Sequence, residues 1–368
     1  MALLEEGITV RDTYEVERFL GQGAFAEVYR VGHRYLGRQA LKLFKTPGLT
    51  TAEVEDMLGE AVLLSRIDHP NIVRVFDANT ITIDDQVYGY FTMEHVAGGS
   101  LDRFWRSFGG QFVPVPVAVD LIKQVCRGLE AAHGQDPPII HRDIKPQNIL
   151  VGYQSDGLRA KVSDFGLAKK VNPLTLMASS RGTRGFKAPE ALLDFSSDSR
   201  AGDVWAVGMT LYLLLTDKLP FAVPDDYGLP GAANVFQEPL IPPSKINALC
   251  DSKLDRILVH ALAIDPKSRY GSATDLLADL DGWAPKLQTE GRSTSQDPWS
   301  TSKEVLGRPT SAAPLEARNL AARAIELAQN PATLNDAADL MEEAFNKLPD
   351  LRSEYRGRVT LWRRGISM

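Results

Sequence analysis

A chain of 368 residues, 44% apolar and 24% charged, is long for one ordinary domain and short for three. It can bury a sizeable core without disulfide staples, and its net charge of −6 argues against the uniformly basic field of a dedicated nucleic-acid binder. Cys126 and Cys250 lack metal-ligand spacing and read as small buried apolar residues in a reducing compartment.

The chain opens on Met1-Ala2-Leu3-Leu4-Glu5-Glu6, without a basic n-region or a long apolar run, so no signal peptide is expected. From about Tyr14 to Val87 the pattern is strand-like, as in Glu27-Val28-Tyr29-Arg30-Val31 and Gln39-Ala40-Leu41-Lys42-Leu43. One helix interrupts it. Thr50-Thr51-Ala52-Glu53 reads as a capping box, and Val54, Met57, Ala61 and Leu64 follow at helical spacing. After Gly98-Gly99 long helical patterns take over, from Val117 to His133 and from Val204 to Leu215. The second is the most apolar run in the chain, yet too short to span a bilayer, and reads as a buried helix. A cytoplasmic protein is expected, with no membrane contact. Regular patterning stops near Trp283, and the hydroxyl-, proline- and charge-rich stretch from Pro285 to Pro314 reads as a flexible linker. Helical patterns then resume, carrying Leu320, Ala324 and Leu327, then Leu334, Ala338, Met341 and Phe345, then Leu351, Tyr355 and Trp362. This tail resembles a tetratricopeptide-type hairpin with an extra helix. It is too short for a free-standing solenoid, so it should lean on the preceding body or on a protein partner.

Chemistry concentrates in a few segments. Gly21-Gln22-Gly23-Ala24-Phe25-Ala26-Glu27-Val28 can bring backbone N–H groups close to phosphate oxygens, with Ala26 where a third glycine would complete the pattern. Lys42 sits among apolar neighbours on a strand and needs an anionic partner. Glu60, on the largely apolar face of Met57 and Leu64, is the candidate, because a carboxylate there is costly unless paired. In Ile140-His141-Arg142-Asp143-Ile144-Lys145-Pro146-Gln147-Asn148, Asp143 can accept the proton of an attacking hydroxyl, Lys145 can neutralise a transferring phosphoryl group, and Asn148 can ligate a metal. Asp164-Phe165-Gly166 offers a carboxylate suited to Mg2+, and Ala188-Pro189-Glu190 closes the segment that follows.

In this order the motifs resemble those of the Hanks-type, eukaryotic-like Ser/Thr protein kinases over roughly Tyr14 to Trp283, and a bacterial, soluble member is expected. The resemblance implies an α+β bilobal kinase fold over 14–283, with a β-rich lobe over about 14–95 and a helical lobe over about 96–283. A linker over 284–313 and a helical extension over 314–368 follow. It implies ATP and Mg2+ as cofactors, with Mn2+ as an allowed substitute. Asp143, Lys145 and Lys42 take the catalytic roles, and Asn148 and Asp164 hold metal. Nucleotide contacts are implied at Gly21, Gln22, Gly23, Ala24, Val28, Ala40, Lys42, Glu60, Asn148, the gatekeeper-like Met93, and Glu94 and Val96 of a hinge. Asp203 stands where the family anchors its catalytic loop, and Arg269 where it pairs with Glu190; both roles support the fold.

Lys145 two residues after Asp143, and Gly182-Thr183 before Phe186, are similar to the Ser/Thr type, so a protein Ser or Thr acceptor is implied. Arg142 resembles the arginine that awaits a phosphorylated activation segment, where Thr175, Ser179 and Ser180 are the candidates. Thr175 is favoured, since its distance before Thr183 resembles that in bacterial receptor-type relatives. Arg352, Arg356, Arg358, Arg363 and Arg364 read as a solvated basic helix face, with an acidic partner or nucleic acid as the lesser alternative. Two competing readings stand beside the active kinase. One is a nucleotide-binding scaffold presenting its tail; the intact Lys42, Asp143, Asn148 and Asp164 oppose it. The other is a small-molecule kinase, opposed by the polypeptide-seating segment from Gly182 to Glu190.

Overall fold

The computed structural model describes residues 2–46, 58–59, 61, 64–96, 98–106, 108–154, 157–165, 184–193, 199–221, 236, 238–285, 313–329, 334–363 and 366. Strands β1 (Thr9–Val10), β2 (Tyr14–Gln22), β3 (Ala26–His33), β4 (Gly37–Phe44), β5 (Val75–Ile83) and β6 (Gln86–Glu94) form an antiparallel sheet in the order β1-β2-β3-β4-β6-β5. Asp84 and Asp85, both at positive φ, close the β5–β6 hairpin, whose twist requires that conformation. The two faces of the sheet follow from alternation along the regularly paired strands β3, β4 and β6. Leu41 and Leu43 join Tyr29, Val31, Tyr88 and Tyr90 in a core on the outer face. Ala40, Phe44, Ala26, Phe91 and Met93 point the other way, into the core shared with the helical lobe. Lys42, opposite Val28 and Phe91 in the ladder, is thereby aimed into the cleft between the lobes.

The second lobe is built on α1 (Leu101–Arg106), α2 (Val115–His133), the hairpin β7 (Ile149–Gln154) and β8 (Gly157–Val162), α3 (Pro189–Leu193), α4 (Arg200–Thr216), α5 (Ser252–Ala261) and α6 (Ala273–Asp281). Helix α4 contains the expected Val204–Leu215 run and is buried almost all round. Ser199 caps it by accepting from Gly202 N at 3.1 Å. No helix among the described residues is long and apolar enough to cross a membrane.

The lobes are stitched through Asn71–Val73. Val162 N donates to Asn71 O at 2.8 Å, and Val73 N to Val162 O at 2.9 Å. Asn71 Nδ2 donates to Ala160 O at 2.9 Å and to Gln124 Oε1 at 3.2 Å. Helix α2 passes this junction at Gly128, where a Cβ would come within 2.6 Å of Asn71 O, so only glycine fits the crossing.

Helices α7 (Ala313–Leu327), α8 (Leu334–Lys347) and α9 (Leu351–Arg363) enclose a core of their own. Leu334, Ala338, Met341, Phe345, Leu351 and Trp362 are buried there as their spacing implied. In α7 the inner stripe is instead Ala317, Ala321 and Ala324, while Leu320 and Leu327 are only half-buried, because alanines allow closer helix contact. The capping box at Thr50–Glu53 with Val54 and Met57, and residues 286–312 of the expected linker, lie outside the described residues. Cys126 and Cys250 are both buried, and burial pushes each thiol up to about 12.

Candidate active site

The sheet's cleft face brings Lys42 to the helical lobe, where its Nζ lies 2.5 Å from Asp164 Oδ1. Asp164 sits at the cleft floor with about a third of its side chain open. Burial there would raise its carboxyl, but the opposing charges of Lys42 and Lys145 win and hold it below the usual carboxylate range. Glu60, expected from sequence to pair with Lys42, lies outside the described residues, as does Gly166.

A short 3-10 turn over Pro146–Asn148 folds the segment after Asp143 back on itself. Lys145 Nζ donates to Asp143 Oδ2 at 2.8 Å. Asn148 Nδ2 donates to the same oxygen at 2.9 Å and to Asp143 O at 2.8 Å. With its NH2 group so engaged, Asn148 has its amide oxygen left as a ligand. Ser163 N and Oγ both donate to Asn148 O, at 2.9 and 3.0 Å, which ties the residue before Asp164 to the loop that carries Asp143. Both candidate metal ligands are oxygen donors. A hard cation with water and substrate oxygens in its remaining positions suits such a set.

The loop backbone is held in an unusual shape. Arg142 and Asp164 both have positive φ, 70° and 57°, a conformation that costs a non-glycine residue about 1–3 kcal/mol. Asp203, 2% exposed on α4, holds the first of these in place. Its Oδ1 accepts from Arg142 N at 2.8 Å, and its Oδ2 accepts from His141 N at 2.8 Å and His133 Nε2 at 2.9 Å. From the other side Lys187 Nζ donates to Arg142 O. Burial depresses the Lys187 amine, and the Asp143 carboxylate opposes that shift.

His141 couples the two strained points. Its Nε2 donates to Ser163 O at 2.8 Å, its Nδ1 accepts from Asp143 N at 3.2 Å, and its ring packs 4.5 Å from that of Phe165. These bonds require a neutral ring with the proton on Nε2, and burial lowers its pKa accordingly.

The hairpin between β2 and β3 forms the cleft's roof. Gly23 N donates to Ala26 O at 2.8 Å, and a Cβ at Gly21 would meet nothing within 4 Å, so the backbone there faces open space. Lys45 Nζ reaches Gln22 Oε1 at 2.8 Å and Gly23 O at 3.0 Å. Val28 and Ala40 line the same face, and buried Met93 pairs with Ala40 in the ladder. Glu94 donates its amide to Arg74 O at 2.8 Å and its carboxylate accepts from Lys161 at 2.8 Å. Its side chain is thereby committed within the protein.

Lys42, Asp143, Lys145, Asn148 and Asp164 are thus gathered around one cleft, with Gly21, Gln22, Gly23, Val28, Ala40, Met93, Glu94 and Val96 along its strand-lobe side. Ala24, beside them, is exposed. The roles of Lys45, His141, Lys161 and Lys187 escaped the sequence reading; the His141-Arg142-Asp143 run was the one available signal. Arg269, fully buried, makes the bidentate bridge to Glu190 at 2.9 and 3.1 Å and caps carbonyls of Ala201, Ala263 and Ile264. Thr175, Ser179, Ser180, Gly182 and Thr183 lie outside the described residues.

Comparison with known proteins points the same way. The family described as "Protein kinase domain" matches residues 14–280. A probable serine/threonine-protein kinase of Clostridium perfringens is 32% identical over 279 residues, covering 75% of this chain and 39% of that protein. The probable serine/threonine-protein kinase PknB of Corynebacterium glutamicum is 33% identical over 285 residues, covering 74% of this chain and 42% of that one. The chain therefore spans about two fifths of the length of these relatives. Among solved structures, the kinase domain of Mycobacterium tuberculosis PknI aligns with a TM-score of 0.56 at 25% identity, over 76% of this chain and 100% of that one.

Proposed function

Because the chain belongs to the protein kinase domain family, we propose that it transfers the γ-phosphoryl group of ATP to serine or threonine hydroxyls of protein substrates. The observation that carries this reading is the single cleft in which Lys42 meets Asp164 at 2.5 Å while Asp143 is held by Lys145 and Asn148. A fold that only bound nucleotide would have no need to orient Asp143 so closely. The kinase unit is taken as 14–283.

Roles follow from the chemistry of each group. The Gly21 to Ala24 backbone covers the phosphates, and Val28, Ala40, Met93 and the 94–96 hinge enclose the adenine. Lys42 orients the phosphates. The acceptor hydroxyl oxygen bonds to the γ-phosphorus as the bond from that phosphorus to the β–γ bridging oxygen breaks, leaving ADP. Asp143 takes the hydroxyl proton, and Lys145 offsets charge on the transferring group. Asn148 and Asp164 would hold the divalent ion, which we take to be Mg2+; its chemistry is to neutralise phosphate charge. Mn2+ fits the same oxygen set. Activation-segment autophosphorylation, at Thr175 first, and a protein partner for the helical tail belong to the same proposal.

Incubation with γ-labelled ATP and Mg2+, followed by mapping of the labelled residues, tests it. Label on Ser or Thr that disappears in Asp164→Asn is expected. Label on tyrosine alone, or transfer to a small-molecule alcohol but to no polypeptide, would overturn the Ser/Thr protein-kinase assignment.

A further inference from the structure

Asp339, on α8, is where arginines from the strand lobe and the tail converge. Its Oδ2 accepts from Arg30 at 3.1 Å and Arg38 at 3.2 Å, and its Oδ1 from Arg363 at 2.6 Å. The side chain is 12% exposed. Glu17 on β2 lies 2.7 Å from Arg30 Nε and 3.0 Å from Arg38 Nε. Glu342, 2% exposed, accepts from Arg363 at 2.6 Å. Among the described residues, this network sets the carboxylates of Glu17, Asp339 and Glu342 against the guanidiniums of Arg30, Arg38 and Arg363. Burial pushes the Glu342 carboxyl up to about 7 against the pull of Arg363, and Asp339 is the member that touches all three arginines. Removing the Asp339 carboxylate from such a partly buried set takes away the one group shared by the three arginines and leaves an excess of positive charge there.

The network's location gives it a consequence. Arg30 lies two residues past Val28 on β3, and Arg38 two residues before Ala40 on β4. Both therefore share the cleft face with those residues, about 7 Å farther along the strands. His95, within the hinge, is surrounded by the same groups. Burial lowers its imidazole to about 4, with Asp339 pulling upward and Arg30, Arg363 and Arg38 pushing down. On the far side of the hinge, Glu343 of α8 accepts from Arg103 of α1 at 2.8 Å. Asp339 and Glu343 are four residues apart and so on one face of α8. One helical turn thus grips β3 and β4 of one lobe and α1 of the other.

We propose that Asp339 is a positioning residue for the nucleotide: through Arg30 and Arg38, α8 clamps the lobes at the edge of the hinge and sets the spacing of Val28, Ala40 and the 94–96 segment. This rests on reading the cleft as an ATP site. Binding that requires the lobes in register is weakened by the fraction of molecules that lack it. The tail lowers that loss by pre-organising the cleft.

The test uses the full chain with Asp339→Asn, Asp339→Glu and the strand-side variant Arg38→Gln, with circular dichroism to check folding. A non-hydrolysable ATP analogue is titrated by calorimetry, KM for ATP and kcat are separated, and hydrogen exchange is followed in β3, β4 and residues 93–96. Asp339→Asn and Arg38→Gln should each weaken nucleotide binding about tenfold, an ordinary coupling. KM should rise far more than kcat falls, exchange should quicken in β3, β4 and the hinge, and Asp339→Glu should restore part of the loss. Unchanged affinity and exchange in folded Asp339→Asn and Arg38→Gln would overturn the clamp. An unmodified chain that binds no ATP analogue would overturn the reading of the cleft instead, and unchanged exchange in the variants would then end the clamp on its own.

Discussion

Asp203→Asn isolates what holds the catalytic loop in its strained shape. The substitution keeps size and shape but replaces one carboxylate oxygen by NH2. Asp203 accepts from Arg142 N through Oδ1, and from His141 N and His133 through Oδ2. Whichever way the amide turns, its NH2 must face a backbone N–H, either that of Arg142 or that of His141. His133 can change tautomer to accept from the amide; a backbone N–H cannot. An unsatisfied buried donor costs about 1–3 kcal/mol, and the remaining bonds lose their charge assistance, so a loss of about 2–5 kcal/mol is expected. That is a large share of the stability of an ordinary domain. With its anchor weakened, Arg142 can leave φ 70° and carry Asp143 with it. A displacement of ~1 Å at a reacting group costs on the order of a hundredfold in rate. Urea unfolding and kcat at saturating ATP, measured on the parent and the variant, read the two effects separately. Stability within about 0.5 kcal/mol of the parent, with unchanged kcat, would refute this account of the loop.

Further expectations follow from the same geometry. Arg269→Met removes the guanidinium from the Glu190 carboxylate and uncaps the carbonyls of Ala201, Ala263 and Ile264. It should cost about 3–5 kcal/mol in urea unfolding, and a loss below 1 kcal/mol would argue that the bridge is dispensable. His95 and His141 are both held neutral, since burial lowers each below the usual histidine value, His95 to about 4. Their contribution is complete above about pH 6.5 and is lost as pH falls below that value, toward 4 for His95. The His95 share is on the order of 3 kcal/mol, and His95→Asn should flatten that part of the stability profile. Chelation of divalent cations should abolish transfer while leaving the unfolding midpoint of the nucleotide-free protein unchanged; a shifted midpoint would point to a structural metal instead.

The candidate catalytic groups could be picked out because the features that gather them are local: the run from His141 to Asn148 needs one tight turn, and Asp164 needs only the end of β8. The faces of β4 were equally readable, since alternation alone separates Lys42 from Leu41 and Leu43. Other features have no local signature. Arg30 and Asp339 are 309 residues apart in the chain, and nothing near either one announces the other. Arg363, read as part of a solvated basic face, is instead paired with Asp339 and Glu342. The inner face of α7 was misjudged because leucine outweighs alanine in any hydrophobic count, whereas close helix packing favours the smaller side chain. Lys45 and Lys187 act on backbone carbonyls, and such contacts carry no pattern at all.

Asp143→Asn tests the central claim most directly, in a paired measurement of nucleotide binding and of labelled-phosphate transfer to a generic basic protein. Asp143 is bonded to Lys145, Asn148 and His141, and among the described residues its side chain makes no hydrogen bond to Lys42 or Asp164. The account therefore expects ATP affinity within a few-fold of the parent and transfer reduced by at least the ~100-fold that loss of a general base brings. Transfer at the parent rate in Asp143→Asn would contradict the assignment of this cleft as the site of phosphoryl transfer.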